Sequence, residues 1–115
     1  MIGDTTTVGL QAALSGLEAR RAAHEMNIAN VETPGYRARK VQFESALRSA
    51  LETGRADRAG FSVSRSTEPA RLNGNNVNVG QEMVSLTETA LRQQLVIRAL
   101  NDKYGLLRDV IGGGR

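Results

Sequence analysis

Two long stretches of this chain carry apolar residues at alternating four- and three-residue intervals, the spacing of a helical packing seam. The first covers residues 8 to 31, with Leu10, Leu14, Leu17, Arg21, His24, Ile28 and Val31 in one row. Arg21 and His24 interrupt it, so this seam is predicted to be apolar at both ends and polar in the middle. Ala12, Ala13, Ala19, Ala22 and Ala23 flank the row with small side chains that permit close approach. The second row is longer: Val79, Met83, Leu86, Ala90, Gln93, Ile97, Leu100, Tyr104, Leu107 and Ile111. Leu91, Leu95, Val96, Ala99, Leu106 and Val110 widen that apolar surface beyond a two-helix seam, which predicts contact with more than one neighbour.

The punctuation between the rows sets the expected boundaries. Pro34 lacks a backbone donor and disfavours the α conformation at Thr33, so a helix over 8–32 should stop before it. Thr33-Pro34-Gly35-Tyr36 fits a type II turn, with proline presetting the second position and glycine accepting positive φ at the third. A second helix over 78–111 starts after the turn-rich Asn73-Gly74-Asn75-Asn76, with Asn78 and Gln81 at capping-box spacing, and ends at Gly112-Gly113-Gly114. At about 1.5 Å per residue these rods would reach roughly 35 Å and 50 Å respectively. Between them, 33–77 reads as a turn, a short helix from Gln42 to Glu52 marked by Phe43, Leu47 and Leu51, and a basic arm. In that arm, Phe61 to Leu72 could pair as short strands, a pairing that Pro69 limits. The expected fold is mainly α: one domain over 1–115, its two long helices paired as a coiled-coil-like antiparallel hairpin, with a short helix and an irregular or short β arm between them and a flexible tail at 112–115.

Composition argues against a self-contained globular core. The 115 residues are 3% aromatic and lack tryptophan, yet 40% are hydrophobic, too many for a uniformly disordered chain. Helices that complete their cores with partners fit both facts. No apolar run approaches the roughly 20 residues that a bilayer requires, and Met1 to Thr7 lacks the pattern of a cleavable secretory signal. Without cysteine and with the single His24, a metal centre or a Cys/His nucleophile has little to be built from. No Gly-rich phosphate loop is present, and acidic pairs such as Asp4/Glu18 and Glu82/Glu88 read as solvated helix faces. Neither an enzyme nor a cofactor or metal site is expected.

The net charge of +3 and pI near 10.0 raise the alternative of a small basic nucleic-acid-binding helical protein. The excess lies in residues 34 to 72, which hold eight basic side chains against four acidic ones: Arg37, Arg39, Lys40, Arg48, Arg55, Arg58, Arg65 and Arg71. No DNA-binding motif or aromatic stacking set accompanies them, so solvated or subunit-contacting arginines are the favoured reading.

Asn27 and Asn30 sit one turn apart where a helix gains nothing from asparagine, which competes for backbone groups. They belong to the string Asn27-Ile28-Ala29-Asn30-Val31-Glu32-Thr33-Pro34-Gly35-Tyr36. That string resembles the N-terminal Asn-x-Ala-Asn-x-x-Thr-Pro-Gly-Tyr signature of bacterial flagellar axial proteins of the rod and hook. Asn73 to Val79, with Asn75, Asn76, Val77 and Met83, is similar to the start of the C-terminal helix in the proximal rod members. The short interior after Tyr36 resembles the proximal rod subunit type called B. Type C, whose Thr-Pro-Gly-Tyr turn is usually broken up, is the nearest competitor. Asn78 stands where an acidic residue is common.

The resemblance implies a structural subunit whose N- and C-terminal helices pair as an inner coiled-coil layer and polymerise into the periplasmic rod, part of the drive shaft and export channel. It implies motif contacts at Asn27, Ala29, Asn30, Thr33, Pro34, Gly35, Tyr36, Asn75, Asn76, Val77 and Met83. Helix packing or assembly is expected at Leu10, Leu14, Leu17, Ile28, Leu86, Ala90, Ile97, Leu100, Tyr104 and Leu107. Partners would be copies of itself, other rod subunits, a basal adaptor and the flagellar type III export apparatus, with no nucleic acid and no membrane span. Export would proceed without a cleavable signal.

Overall fold

A computed structural model describes the backbone of residues 4–112 and the side chains of 4–105; Leu107 and Ile111 as packing residues, and the tail at 113–115, lie outside the described residues. In chain order the elements are helix α1 (Thr5–Ala29), strand β1 (Arg39–Gln42), helix α2 (Glu44–Glu52), a single 3-10 turn (Ala56–Arg58), strand β2 (Ser62–Arg65) and helix α3 (Val79–Gly112). The molecule measures 68 × 27 × 14 Å, an elongated shaft.

The helix starts and stops follow from local chemistry. Asp4 caps α1 with a 2.8 Å bond from the Thr7 backbone N–H, so the helix begins three residues before the apolar row does. Asn30 closes it, and the type II turn follows: Tyr36 N–H donates to Thr33 C=O, and Gly35 has φ +74°. Asn78 caps α3 through a bond from Gln81 N–H, the expected spacing of three.

The long helices pack antiparallel, as cross-links down their length show: Lys103 to Asp4 at 2.8 Å, Gln11 to Tyr104 at 2.9 Å, Arg21 to Gln93 at 3.3 Å and His24 to Glu82 at 2.6 Å. Leu17 and Leu100 are buried in the seam with Thr89 and Gln93, while Leu10, Leu14, Ile28, Leu86, Ala90 and Tyr104 are half-buried. The middle is polar, as the sequence required. On α3, however, the covered row runs through Glu82, Leu86, Thr89, Gln93, Val96 and Leu100, and Val79, Met83 and Ile97 of the expected row stand exposed. The row is rotated because Glu82 is drawn to the seam by His24 and Asn27.

The second face of α1 carries the interior segment. Gly9 and Gly16 lie two turns apart, and their bare backbone receives Leu51 and Phe43: a Cβ on Gly16 would stand 2.3 Å from the Phe43 ring. Arg20 reaches over the same ring, its guanidinium 4.7 Å from the centroid, and pairs with Glu44 at 2.7 Å. Phe43 and Val41 are thereby buried against α1. Strands β1 and β2 pair antiparallel from Arg39↔Arg65 to Gln42↔Ser62. Residues 39–42, read from the sequence as turn and helix start, are thus a strand, and α2 begins only after it. α1 is covered on two faces and α3 on one.

Candidate functional site

Both sequence strings converge at one end of the shaft, and asparagine side chains join them. Asn27 is fully buried, and its carboxamide makes every bond it can. The oxygen accepts from Tyr36 O–H at 2.9 Å and Arg39 N–H at 2.8 Å, while the nitrogen donates to Arg39 C=O at 3.0 Å and Glu82 Oε2 at 3.1 Å. An amide side chain presents the same donor and acceptor as a peptide unit. Asn27 therefore occupies the edge of β1 as a neighbouring strand would, and Arg20 continues that edge by donating to Val41 C=O.

Asn75, also fully buried, ties the second string to the first. Its nitrogen donates to Asn30 C=O and Thr33 C=O, each at 2.8 Å, and its oxygen accepts from Val77 N–H. These bonds satisfy carbonyls freed where α1 ends. Asn76 does the same for the arm, accepting from Ala38 N–H at 2.7 Å and donating to Ser66 C=O and Glu68 C=O. Gly35 and Gly74 meet back to back: Gly35 N–H donates to Asn73 C=O, and a Cβ on Gly74 would lie 3.2 Å from Gly35 Cα. With φ +84°, Gly74 is also in the left-handed region that favours glycine. Val77 is 2% exposed beneath this junction.

Asn27, expected at a subunit contact, is instead an internal connector, since nothing of it reaches the surface. Tyr36, Asn75 and Val77 likewise act inside the chain. Ala29, Thr33, Pro34, Gly35 and Met83 are exposed, and Asn30 is half-exposed with its own amide turned back to Met26 C=O.

The sequence reading missed the arginine fasteners. Arg71 donates to Val77 C=O and Val31 C=O, Arg37 to Ser66 C=O and Glu68 C=O, and Arg65 to Arg37 C=O while lying 5.4 Å over the Tyr36 ring. These three, though exposed, each donate to carbonyls of their own chain. Their proximity to turn residues was the only available signal. Glu82, read as part of a solvated face, is 14% exposed between His24 and Asn27.

Two carboxylates are held in the ionised form. A hydrogen bond from Arg20 is the main cause that lowers Glu44 to about 2, and Lys103, followed by the Thr7 N–H, lowers Asp4 further from its ordinary range. Both groups fasten elements together. Among the described residues, no helix is long and apolar enough to cross a membrane. The geometry is that of a joint between a helical shaft and a side arm.

No family model matches the chain. It is 32% identical over 123 residues to the flagellar basal body rod protein FlgB of Bacillus subtilis, covering 96% of this chain and 95% of that protein. The FlgB of Aeromonas hydrophila is 32% identical over 118 residues, with 89% of each chain covered. That of Salmonella typhimurium is 26% identical over 125 residues, covering 90% of this chain and 91% of the relative. Near-complete coverage of both partners, together with the paired terminal helices, places the chain: it belongs to the flagellar basal body rod protein FlgB family, structural subunits of the rod.

Proposed function

We propose that this chain is a subunit of the proximal rod that polymerises through α1 and α3, forming part of the drive shaft and of the channel through which export proceeds, and that motility requires it. The observation that carries the reading is the bare face of α3. Met83, Val84, Leu91, Leu95 and Ile97 are between 43% and 69% exposed on a helix whose other face is packed. Large apolar side chains left bare in this number on one helix mark a surface that is covered in the working state.

The exposed motif positions Thr33, Pro34, Gly35 and Met83, with Asn30 beside them, supply contacts to neighbours at the junction end. Those neighbours are copies of the chain, other rod subunits and, at the base, an adaptor of the FliE type. The chain reaches the periplasm through the flagellar type III apparatus. It works by geometry alone, with no catalytic step, cofactor or nucleic acid.

The test is to isolate basal bodies from cells producing a tagged chain and image them. The chain is expected in the rod between the export gate and the distal rod, and its deletion should leave cells without rods and non-motile. Intact rods lacking the chain would overturn the reading.

A further inference from the structure

The two-stranded sheet of the arm has one edge closed and one open. In an antiparallel ladder, successive residues turn their backbone groups alternately toward the paired strand and away from it. Arg39 gives both its N–H and its C=O to Asn27, and Val41 C=O accepts from Arg20, so these two residues of β1 face away from β2. Their partners in the register are Arg65 and Val63. The N–H and C=O of Arg65 and Val63 therefore point outward from β2, where no described residue meets them. That is a row of two donors and two acceptors, uninterrupted by proline or bulge. Two strands alone hold together poorly without a third strand or a helix against them. Here β1 leans on α1 through the buried Val41, whereas Val63 beside it is 54% exposed.

The open edge runs into a basic cleft. Arg65 ends β2 and, with Arg37, lines a hollow of about 380 Å³ whose remaining wall is Thr33, Pro34, Gly35 and Tyr36. Each guanidinium spends only its Nη1 on carbonyls of its own chain. Neither is paired with a carboxylate among the described residues, and the guanidinium fork fits a carboxylate well. From edge and cleft together we infer that the arm binds an extended acidic segment of a partner protein, which adds as a third strand antiparallel to β2 and sets carboxylates against Arg65 and Arg37. Register and charge define the occupant. The residue opposite Arg65 is acidic, the one opposite Val63 is apolar, and backbone bonds supply the rest. A second copy's β2, Ser-Val-Ser-Arg, has no carboxylate to offer the cleft. The inference gives the turn contacts of the assembly reading their partner's chemistry, and it rests on that reading.

The probe is the synthetic peptide Asp-Glu-Thr-Val-Thr-Val, titrated into the isotope-labelled full-length chain. Antiparallel alignment puts its Glu opposite Arg65 and its first Val opposite Val63. Binding is expected to slow hydrogen exchange at the Val63 and Arg65 amides and to leave those of α3 unchanged. N-methylation of the first Val, whose N–H faces β2, should weaken binding about tenfold, whereas N-methylation of the Thr before it, whose N–H faces away, should change it less than about twofold. Replacing Asp-Glu by Lys-Lys should also weaken binding about tenfold, as for two reversed exposed ion pairs. A chain carrying Arg37→Glu with Arg65→Glu should reverse that preference, and the peptide series decides without it should that variant unfold. No binding, equal loss from both N-methyl peptides, indifference to peptide charge, or protection outside the arm overturns the inference. Protection at Val63 and Arg65 that rises with chain concentration and no peptide assigns the edge to a second copy and overturns it as well. The imaging test above reports separately whether the chain is a rod component, so a failed titration beside a positive image removes the third strand alone.

Discussion

The Phe43 ring lies directly on the backbone of Gly16, where no side chain larger than hydrogen fits. The contact anchors the interior segment to the shaft, since β1 precedes Phe43 and α2 follows it. Gly16→Ala gains helix propensity but forces the ring away, and overpacking of this kind costs about 1–3 kcal/mol. A fall in the denaturation midpoint is expected. An unchanged or raised midpoint would show that the ring repacks freely.

Asn27 should tolerate no isostere. Asn27→Asp turns a donor facing Arg39 C=O and Glu82 into an acceptor, and Asn27→Ala strands the Arg39 N–H, where each buried unsatisfied group costs about 1–3 kcal/mol. Tyr36→Phe removes a single neutral bond and should cost about 1 kcal/mol. Chemical denaturation of the three variants checks the order, with Tyr36→Phe the mildest.

Acid should loosen the arm. The Glu44 carboxyl titrates at about 2 when folded against 4.5 as its ordinary value, so the unfolded chain binds a proton more readily. The contribution is complete above about pH 5 and is lost as pH falls toward the folded value. The carboxylate is largely solvent-exposed, which limits the effect to under about 1 kcal/mol. Melting temperature followed against pH should decline through this window, and Glu44→Gln should flatten the decline.

Two leucine-row substitutions separate folding from assembly. Leu86→Asp places a charge at the half-buried seam and should unfold the shaft. Ile97, 43% exposed, lies off that seam. Ile97→Asp should leave the helical signal of the purified chain unchanged while abolishing rods and swimming. Export of both variants should persist. Swimming cells with Ile97→Asp would exclude a role for this side of α3 in assembly.

The long helices were legible because heptad spacing over many turns has few other causes, and the turn at Pro34-Gly35 because its residues fix their own dihedrals. Strand β1 was not. Arg-Lys-Val-Gln has neither length nor apolar alternation, and its extended form depends on Asn27, Arg20 and a strand more than twenty residues away. The strings around Asn27 and Asn75 stood out as unexplained amides, but their mutual contact depends on chain reversal, which periodicity does not encode. The covered side of α3 was misjudged because Glu82 reads as solvated until His24 and Asn27 are seen opposite it. Glycines 9 and 16 carried a signal at seven-residue spacing that was legible in principle.

The polar middle of the seam weakens it, yet it also works as an index mark. Glu82, only 14% exposed, meets His24 and Asn27; sliding α3 by one heptad in either direction would carry the carboxylate away from both and toward Leu17 or Val31, leaving a shielded charge without its partners. A uniformly leucine seam would allow such slips and yield shafts of several lengths. With one permitted alignment, every copy is the same gauge, and a stack built from many of them accumulates no error in height.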